Sequence, residues 1–100
     1  MAVVGLVEIK GDPKQLLAQY DKAREVIEKA PPPPGLLIHT CVELPDGMRI
    51  ANVWESEEQL WAGFNNPQFQ SAVRNAGMEP VKPTVLRVHN FIPFAQAQVR

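Results

Sequence analysis

The chain has 100 residues and a formal net charge of −1; 45% of the residues are hydrophobic and 21% are charged. This composition is that of an ordinary globular protein of one domain, and its charge gives no reason to expect nucleic acid or an anionic membrane as a partner. Cys41 is the only cysteine, which excludes an intrachain disulfide and a cysteine zinc site. We expect a cytoplasmic protein, because the N-terminus lacks the features of a signal peptide and no apolar run approaches the roughly 20 residues of a membrane span.

The first two predicted elements are a strand and a helix. Apolar residues on both faces of residues 3–9 predict a central strand that is covered on both sides. Asp12 and Pro13 suit an N-cap and a first helical position, so a helix is predicted to follow them. Its buried stripe comprises Leu16, Tyr20, Ala23, Ile27 and Ala30.

Four consecutive prolines, at residues 31–34, end this helix. Such a run could serve as a ligand for an SH3-like domain. It is short and lies between two structured segments, so a stiff helix-to-strand connector is the preferred interpretation.

A β-hairpin is predicted in the middle of the chain. Residues 35–44 form its first strand and residues 48–55 its second, and the intervening Pro45-Asp46-Gly47 contains Asp-Gly, the strongest short signal for a hairpin turn. Strict alternation places Leu37, His39, Cys41 and Glu43 on one face of the first strand. The other face then carries Leu36, Ile38, Thr40, Val42 and Leu44.

The second strand of the hairpin runs directly into a helix. Ser56 is a strong N-cap, and Gln59 stands at the position of its reciprocal partner in a capping box. Glu57 and Glu58 place negative charge at the positive end of the helix dipole. A strand-to-helix junction is therefore predicted at Ser56.

The last third of the chain contains a broken helix and a strand. The helix is interrupted at Asn65-Asn66-Pro67, where Asn66 and Pro67 restart a second helical segment that ends at Gly77. Residues 84–92 are predicted to be the fourth strand, with Val85, Arg87, His89 and Phe91 on one face. Residues 93–100 are predicted to be a C-terminal tail.

The order strand, helix, strand, strand, helix, strand predicts an α+β protein with a ferredoxin-like βαββαβ fold. Residues 1–92 would form this single domain, with a four-stranded antiparallel sheet and the helices on one of its faces. The opposite face of the sheet would also be apolar and would have no cover in a monomer. We therefore expect a homodimer, a dimeric α/β barrel in which two sheets face each other.

Three segments of the chain carry a family resemblance: Val53-Trp54-Glu55-Ser56-Glu57-Glu58, the preceding Asp46-Gly47 hairpin and the final Val88-His89-Asn90. They resemble the antibiotic biosynthesis monooxygenase family of the dimeric α/β barrel superfamily. Its members include cofactor-independent monooxygenases that act on polycyclic aromatic polyketides, and haem-degrading enzymes. The resemblance implies a dimer with a ligand pocket between sheet and helices in each subunit and no cofactor.

The haem-degrading branch of that family can be tested on this sequence. Its members carry an asparagine, a tryptophan and a histidine at positions that look like Val7, Gly63 and Ala72 here. Trp61 lies two residues too early, which turns it by about 200° around a helix. The sequence therefore predicts against haem degradation.

The polyketide-oxidising branch supplies a second comparison. In it the protein binds and deprotonates a phenol, which then reacts with dioxygen itself. Asn52 and Trp54 share a strand face and resemble the asparagine and the tryptophan of that branch, so Asn52 is a candidate catalytic residue and Trp54 a candidate for substrate binding. The alternative is that Trp54 belongs to the core and Asn52 is a hydrogen-bonded strand residue.

His39 and His89 are the other candidate catalytic residues, because histidine is the side chain best suited to acid–base chemistry near neutral pH. They lie on strands predicted at opposite edges of the sheet, so they would meet only across a dimer; a structural role is the alternative for each. Two histidines without a carboxylate nearby supply too few ligands for a metal site.

Tyr20, Trp61 and Arg87 complete the candidates for substrate binding. Tyr20 lies on the buried stripe of the first helix, where its ring would pack and its hydroxyl could reach the pocket. Arg87 shares a strand face with His89, and an ion pair at the subunit interface is the alternative for it.

Two functions remain open at this stage. The first is a cofactor-independent enzyme, a monooxygenase, isomerase or cyclase, that acts on a small apolar aromatic or polyketide-like molecule. The second is a non-catalytic small-molecule-binding or dimerisation module that uses the same pocket. A polar group of shifted pKa that opens into an apolar cavity of ligand size would favour the enzyme.

Overall fold

The computed structural model describes residues 1–93. It contains seven elements in chain order: β1 (Val3–Lys10), α1 (Pro13–Ile27), β2 (Leu36–Leu44), β3 (Gly47–Trp54), α2 (Glu57–Phe64), α3 (Pro67–Asn75) and β4 (Thr84–Arg87). The four strands form one antiparallel sheet in the order β2-β3-β1-β4. The predicted ferredoxin-like α+β fold is confirmed.

The helices begin where the sequence predicts. Asp12 caps α1 by accepting a hydrogen bond from the backbone N–H of Lys14, and Asn66 caps α3 by accepting from those of Gln68 and Phe69. At α2 the Ser56 hydroxyl accepts from the Gln59 N–H. The same hydroxyl donates to the Gln59 side-chain oxygen, so the reciprocal bond of the predicted capping box is made between side chains.

Two predicted boundaries are wrong. Helix α1 ends at Ile27, three residues before the predicted end of its apolar stripe, and turns occupy the residues before the prolines. Strand β4 ends at Arg87 and does not extend to residue 92, because its pairing with β1 stops at Val3↔Arg87, where β1 itself begins. Val88 adds one hydrogen bond, to the carbonyl of Ala2, but His89 lies outside the strand.

The predicted alternation of β2 is also wrong, because the strand contains a bulge. Leu36 pairs with Trp54 while Ile38 pairs with the adjacent Val53, so Leu37 is an extra residue in the ladder. Leu36 and His39 consequently lie on the same, helix-facing side of the sheet. Strict alternation had placed them on opposite sides.

The core lies between the sheet and the helices. Val3, Trp54 and Leu60 form its centre, with exposed fractions of 4%, 6% and 2%. The sequence left open which face carries Trp54, and the structure places it on the helix side. Leu60 reaches the sheet directly over Gly5, where an added Cβ would lie 2.9 Å from Leu60 Cδ1.

The opposite face of the sheet is largely apolar. The strand register places eight apolar residues on it: Val4, Leu6, Ile38, Val42, Leu44, Ala51, Val53 and Leu86. Ile38, Val42 and Leu86 are 43%, 43% and 49% exposed within residues 1–93. An ion pair between Glu8 and Arg49 lies on the same face. Such a surface favours the expected dimer, which stays a prediction.

The predicted C-terminal tail lies, after Pro93, outside the described residues. Within residues 1–93, no helix combines the length and the apolar content that crossing a membrane requires.

Candidate functional site

A large cavity lies beside the core, between the helix-facing side of the sheet and the helices. Its volume is about 1370 Å³, which is more than enough for a small organic ligand. Its floor is formed by alternate residues of β1 and β3: Gly5, Val7, Ile9, Met48, Ile50, Asn52 and Trp54. Leu60, Phe64 and Phe69 contribute apolar side chains from α2 and α3.

Tyr20, His39 and Asn52 form a chain of hydrogen bonds on the wall of this cavity. The Asn52 Oδ1 atom lies 2.7 Å from His39 Nδ1, and the Tyr20 hydroxyl lies 2.5 Å from His39 Nε2. An amide oxygen can only accept a hydrogen bond, so Nδ1 carries the hydrogen and donates it. In the neutral ring Nε2 then holds a lone pair and accepts from the Tyr20 hydroxyl. The three residues therefore fix one tautomer of His39, in which Nε2 carries no hydrogen and can accept a proton.

The local structure that brings these residues together differs for each contact. His39 and Asn52 are directly paired across β2 and β3, on the cavity side of the sheet. Tyr20 comes from α1, and its ring stacks on that of His39 with centroids 5.8 Å apart and planes inclined by 12°. The stacking and the hydrogen bond together orient the imidazole from one side, while Asn52 holds it from the other.

The Tyr20 hydroxyl is held in its neutral form. Partial burial raises the pKa of Tyr20 above its ordinary value, and Cys41 adds to the shift. Burial also raises the pKa of the Cys41 thiol. The phenol is therefore a hydrogen-bond donor to His39 at neutral pH, and the thiol beside it stays protonated.

The structure brings together four of the seven residues that the sequence singled out: Tyr20, His39, Asn52 and Trp54 all line the cavity. The other three lie elsewhere. Trp61 follows Leu60 in α2 and is turned about 100° away from it; its indole N–H donates to Glu57, and its ring packs edge-on against Phe64.

Arg87 and His89 lie at the other edge of the sheet. They line a separate depression of about 310 Å³ with Met1 and Val88, and Arg87 Nε contacts the Met1 sulfur. Strand β4 pairs with β1 and is separated from β2 by two strands, so neither residue reaches His39 within a protomer. Their predicted roles would require a partner subunit and stay predictions.

Sequence reasoning missed Gly63 as a residue of the site. It lines the cavity near the C-terminal end of α2 and lies against the ring of Trp54. A glycine within a short helix is the signal that could have drawn attention to it, because glycine is unfavourable there unless a close approach requires it. Among residues 1–93, no three His, Cys, Asp or Glu side chains lie together as a metal site would need.

Solved structures share this architecture. Rv0793 of Mycobacterium tuberculosis matches with a TM-score of 0.67 at 16% identity, over 91% of this chain and 98% of that one. A Bacteroides thetaiotaomicron protein, named as a candidate antibiotic biosynthesis monooxygenase, gives 0.64 at 20% identity over 97% and 96%. SnoaB, a cofactor-independent oxygenase of Streptomyces nogalater, gives 0.60 at 12% identity over 92% and 95%.

The chain has the ferredoxin-like fold of antibiotic biosynthesis monooxygenase-like proteins. The resemblance seen in the sequence is thus confirmed at the level of the fold. No protein-family model and no curated protein matches the chain. At these identities the likeness establishes the architecture, and the chemistry has to be argued from the site.

Proposed function

We propose that this protein is a cofactor-independent enzyme that deprotonates a small apolar aromatic molecule with an acidic hydroxyl and thereby lets it react with dioxygen. The observation that carries the proposal is the Tyr20–His39–Asn52 chain, in which the Tyr20 hydroxyl and the His39 nitrogen behind it line a largely apolar cavity. The fold shared with SnoaB, a cofactor-independent oxygenase, supports the same reaction class.

The protein residues act on the proton. In one route the substrate hydroxyl donates its proton to the Tyr20 oxygen while Tyr20 passes its own proton to His39 Nε2. In the other route the substrate displaces the Tyr20 hydroxyl and donates its proton directly to Nε2. Asn52 continues to accept from Nδ1 throughout and therefore stabilises the imidazolium that forms. Trp54 and the apolar walls bind the aromatic rings and exclude water from the phenolate.

Dissolved dioxygen is the oxidant. The electron-rich phenolate gives one electron to dioxygen, and the two radicals combine to form a carbon–oxygen bond. The resulting peroxide anion takes the proton from the imidazolium of His39, which becomes neutral again. His39 then accepts the hydrogen of the carbon that bears the hydroperoxide as a proton, the O–O bond breaks, and that carbon becomes a carbonyl group. The departing hydroxide takes this proton from His39 and leaves as water. With anthrone, which presents a hydroxyl in its enol form, one dioxygen is consumed, and anthraquinone and one water are formed.

The test measures dioxygen uptake with anthrone, corrected for spontaneous oxidation, in the wild type and two variants. We expect His39→Ala to lower kcat by about 10²–10⁴, the usual contribution of a general base. His89→Ala is the comparison variant: that histidine lies outside the cavity of its own protomer, so an unchanged kcat is expected, and a loss of activity would instead support the role across a dimer that the sequence predicts for it. Anthrone binding without any turnover in the wild type would instead favour the non-catalytic binding module, and equal rates in wild type and His39→Ala would reject the base.

The assembly belongs to the same proposal. Two protomers would pair through the outer sheet face, which leaves the cavity on the helix side of each sheet and gives each subunit its own site. Location in the cytoplasm also stays a prediction.

A further inference from the structure

Gly63 and Trp54 approach each other more closely than any other residue type at position 63 would allow. A Cβ added at Gly63 would lie 2.5 Å from Trp54 Cη2, the far tip of the indole, and within 3.3 Å of two further ring carbons. Separations under 3 Å between carbon atoms are not tolerated in packed proteins. Any side chain at position 63 must therefore displace the indole or the helix.

Glycine at this position is unfavourable for the helix itself. Position 63 is the seventh of eight residues in α2, and glycine is a poorer helix former there than alanine. The close approach to Trp54 accounts for its presence, since only hydrogen leaves room for the ring. The helix is held to the sheet a second time at Leu60, over Gly5.

The direction in which the indole would move follows from its surroundings. Trp54 packs against Val3 and Leu60, both of which are buried. Leu36, Trp61 and Val85 pack against the same cluster, and Trp54 is only 6% exposed. The open space beside the ring is the cavity, which both Trp54 and Gly63 line. A methyl group at position 63 would therefore push the ring into the space in which a ligand would lie.

We propose that Gly63 is a specificity-determining residue: by letting the tip of the Trp54 indole lie against α2, it sets the length of the aromatic system that the cavity accepts. This inference rests on the proposed function for the chemical class of the ligand, but it concerns binding and needs no turnover. A larger side chain at position 63 would convert the site to smaller ligands without changing Tyr20, His39 or Asn52.

The position of the ring can be tested by fluorescence. Trp61→Phe leaves Trp54 as the only tryptophan, so its emission reports on that ring alone. We expect Gly63→Ala in this background to shift the emission to longer wavelength and to increase quenching by acrylamide, because the indole moves from the core toward the open cavity. Unchanged emission and quenching would overturn the inference.

The effect on ligand length can be tested by calorimetry with phenol, 1-naphthol and anthrone, which have one, two and three fused rings in sequence. We expect Gly63→Ala to weaken anthrone binding by about tenfold or more, in the range for a methylene-sized misfit in an apolar pocket. Phenol binding should be unchanged. An equal loss for all three probes, or no loss for any, would overturn the inference.

A double variant separates the contact from a general effect on the helix. In Trp54→Phe the contacting tip of the indole is absent, so adding Gly63→Ala to it should leave anthrone binding as it is in Trp54→Phe alone. The double variant also provides a test if Gly63→Ala alone fails to fold. The combination of Trp54→Phe with Gly63→Ala should then fold, and its failure to do so would contradict the inference. These readouts are independent of dioxygen uptake, so a loss of the proposed oxygenase reaction leaves them unaffected.

Discussion

Asn52 holds His39 in the tautomer that can accept a proton, and replacing it by leucine tests this role directly. Leucine has nearly the same shape as asparagine but cannot accept the hydrogen bond from His39 Nδ1. The new side chain would face a cavity floor that is already apolar, beside Ile50 and Trp54. We expect Asn52→Leu to fold normally and to lose activity only in part, which distinguishes a positioning residue from the base itself.

The size of the loss follows from the hydrogen bond that is removed. The Asn52–His39 bond is 2.7 Å long and lies on a partly exposed wall, where such a bond contributes about 0.5–1.5 kcal/mol. Its loss lets the ring populate the other tautomer, in which Nε2 carries the hydrogen and can no longer accept from Tyr20. At about 1.4 kcal/mol per factor of ten, the productive tautomer decreases about two- to tenfold. The expected fall in kcat is of that size, against a hundredfold or more for His39→Ala.

Nitrogen NMR of the imidazoles gives a readout that a purely structural role would not change. The two ring nitrogens differ in chemical shift according to which one carries the hydrogen, and His89→Gln assigns the signals of His39. We expect Asn52→Leu to move the two His39 signals toward each other, and Asn52→Asp, which keeps an acceptor, to preserve their separation. Signals unchanged in Asn52→Leu, or a rate loss equal to that of His39→Ala, would refute the reasoning.

Two further predictions concern pH and assembly. Burial raises the pKa of Tyr20 above 10.0, so the unfolded chain loses this proton first and the free energy of unfolding should fall as pH rises from about 10 through the folded-state pKa. Tyr20 is the only tyrosine of the chain, so its phenolate absorbance should appear in the folded protein at a higher pH than in free tyrosine. Tyr20→Phe should remove both effects. Phenolate formation at the pH of free tyrosine would contradict the assignment. Leu86→Asp places a charge on the outer sheet face at a position that is 49% exposed in the protomer. It should leave the fold intact, and light scattering should then show a monomer in place of the predicted dimer. A wild type that is already monomeric at micromolar concentration would contradict the predicted dimer.

Local signals in the sequence predicted most of the fold. N-caps and turns act through hydrogen bonds between residues two or three positions apart, so Asp12, Ser56 and Asn66 identify their helices without knowledge of the rest of the chain. The order of elements then left few topologies, and the observed one agrees with the prediction. The errors lie at the end of α1, at the end of β4 and in the alternation along β2, which a bulge interrupts. Each of these depends on partners distant in sequence.

The pairing of His39 with Asn52 depends on the exact length of the hairpin loop. The loop is Pro45-Asp46, and Gly47 already pairs with Leu44, so His39 lies opposite Asn52 five residues further along the ladder. The predicted turn included Gly47, and that register would have paired His39 with Val53. A shift of one residue moves a side chain to the other face of the sheet, so the pairing needed the structure.

Sequence alone thus determined the elements, their order and the chemistry available on each strand, because those properties depend on neighbours a few residues away. Only the tertiary structure decided that Tyr20 reaches His39, since the rotation of α1 on the sheet depends on how its whole buried face packs. The same holds for the bulge that turns Leu36 toward the helices, and for the contact between Gly63 and Trp54. Each of these is fixed by the shapes of surfaces that meet only after the chain has folded, and no local pattern of residues encodes such a fit.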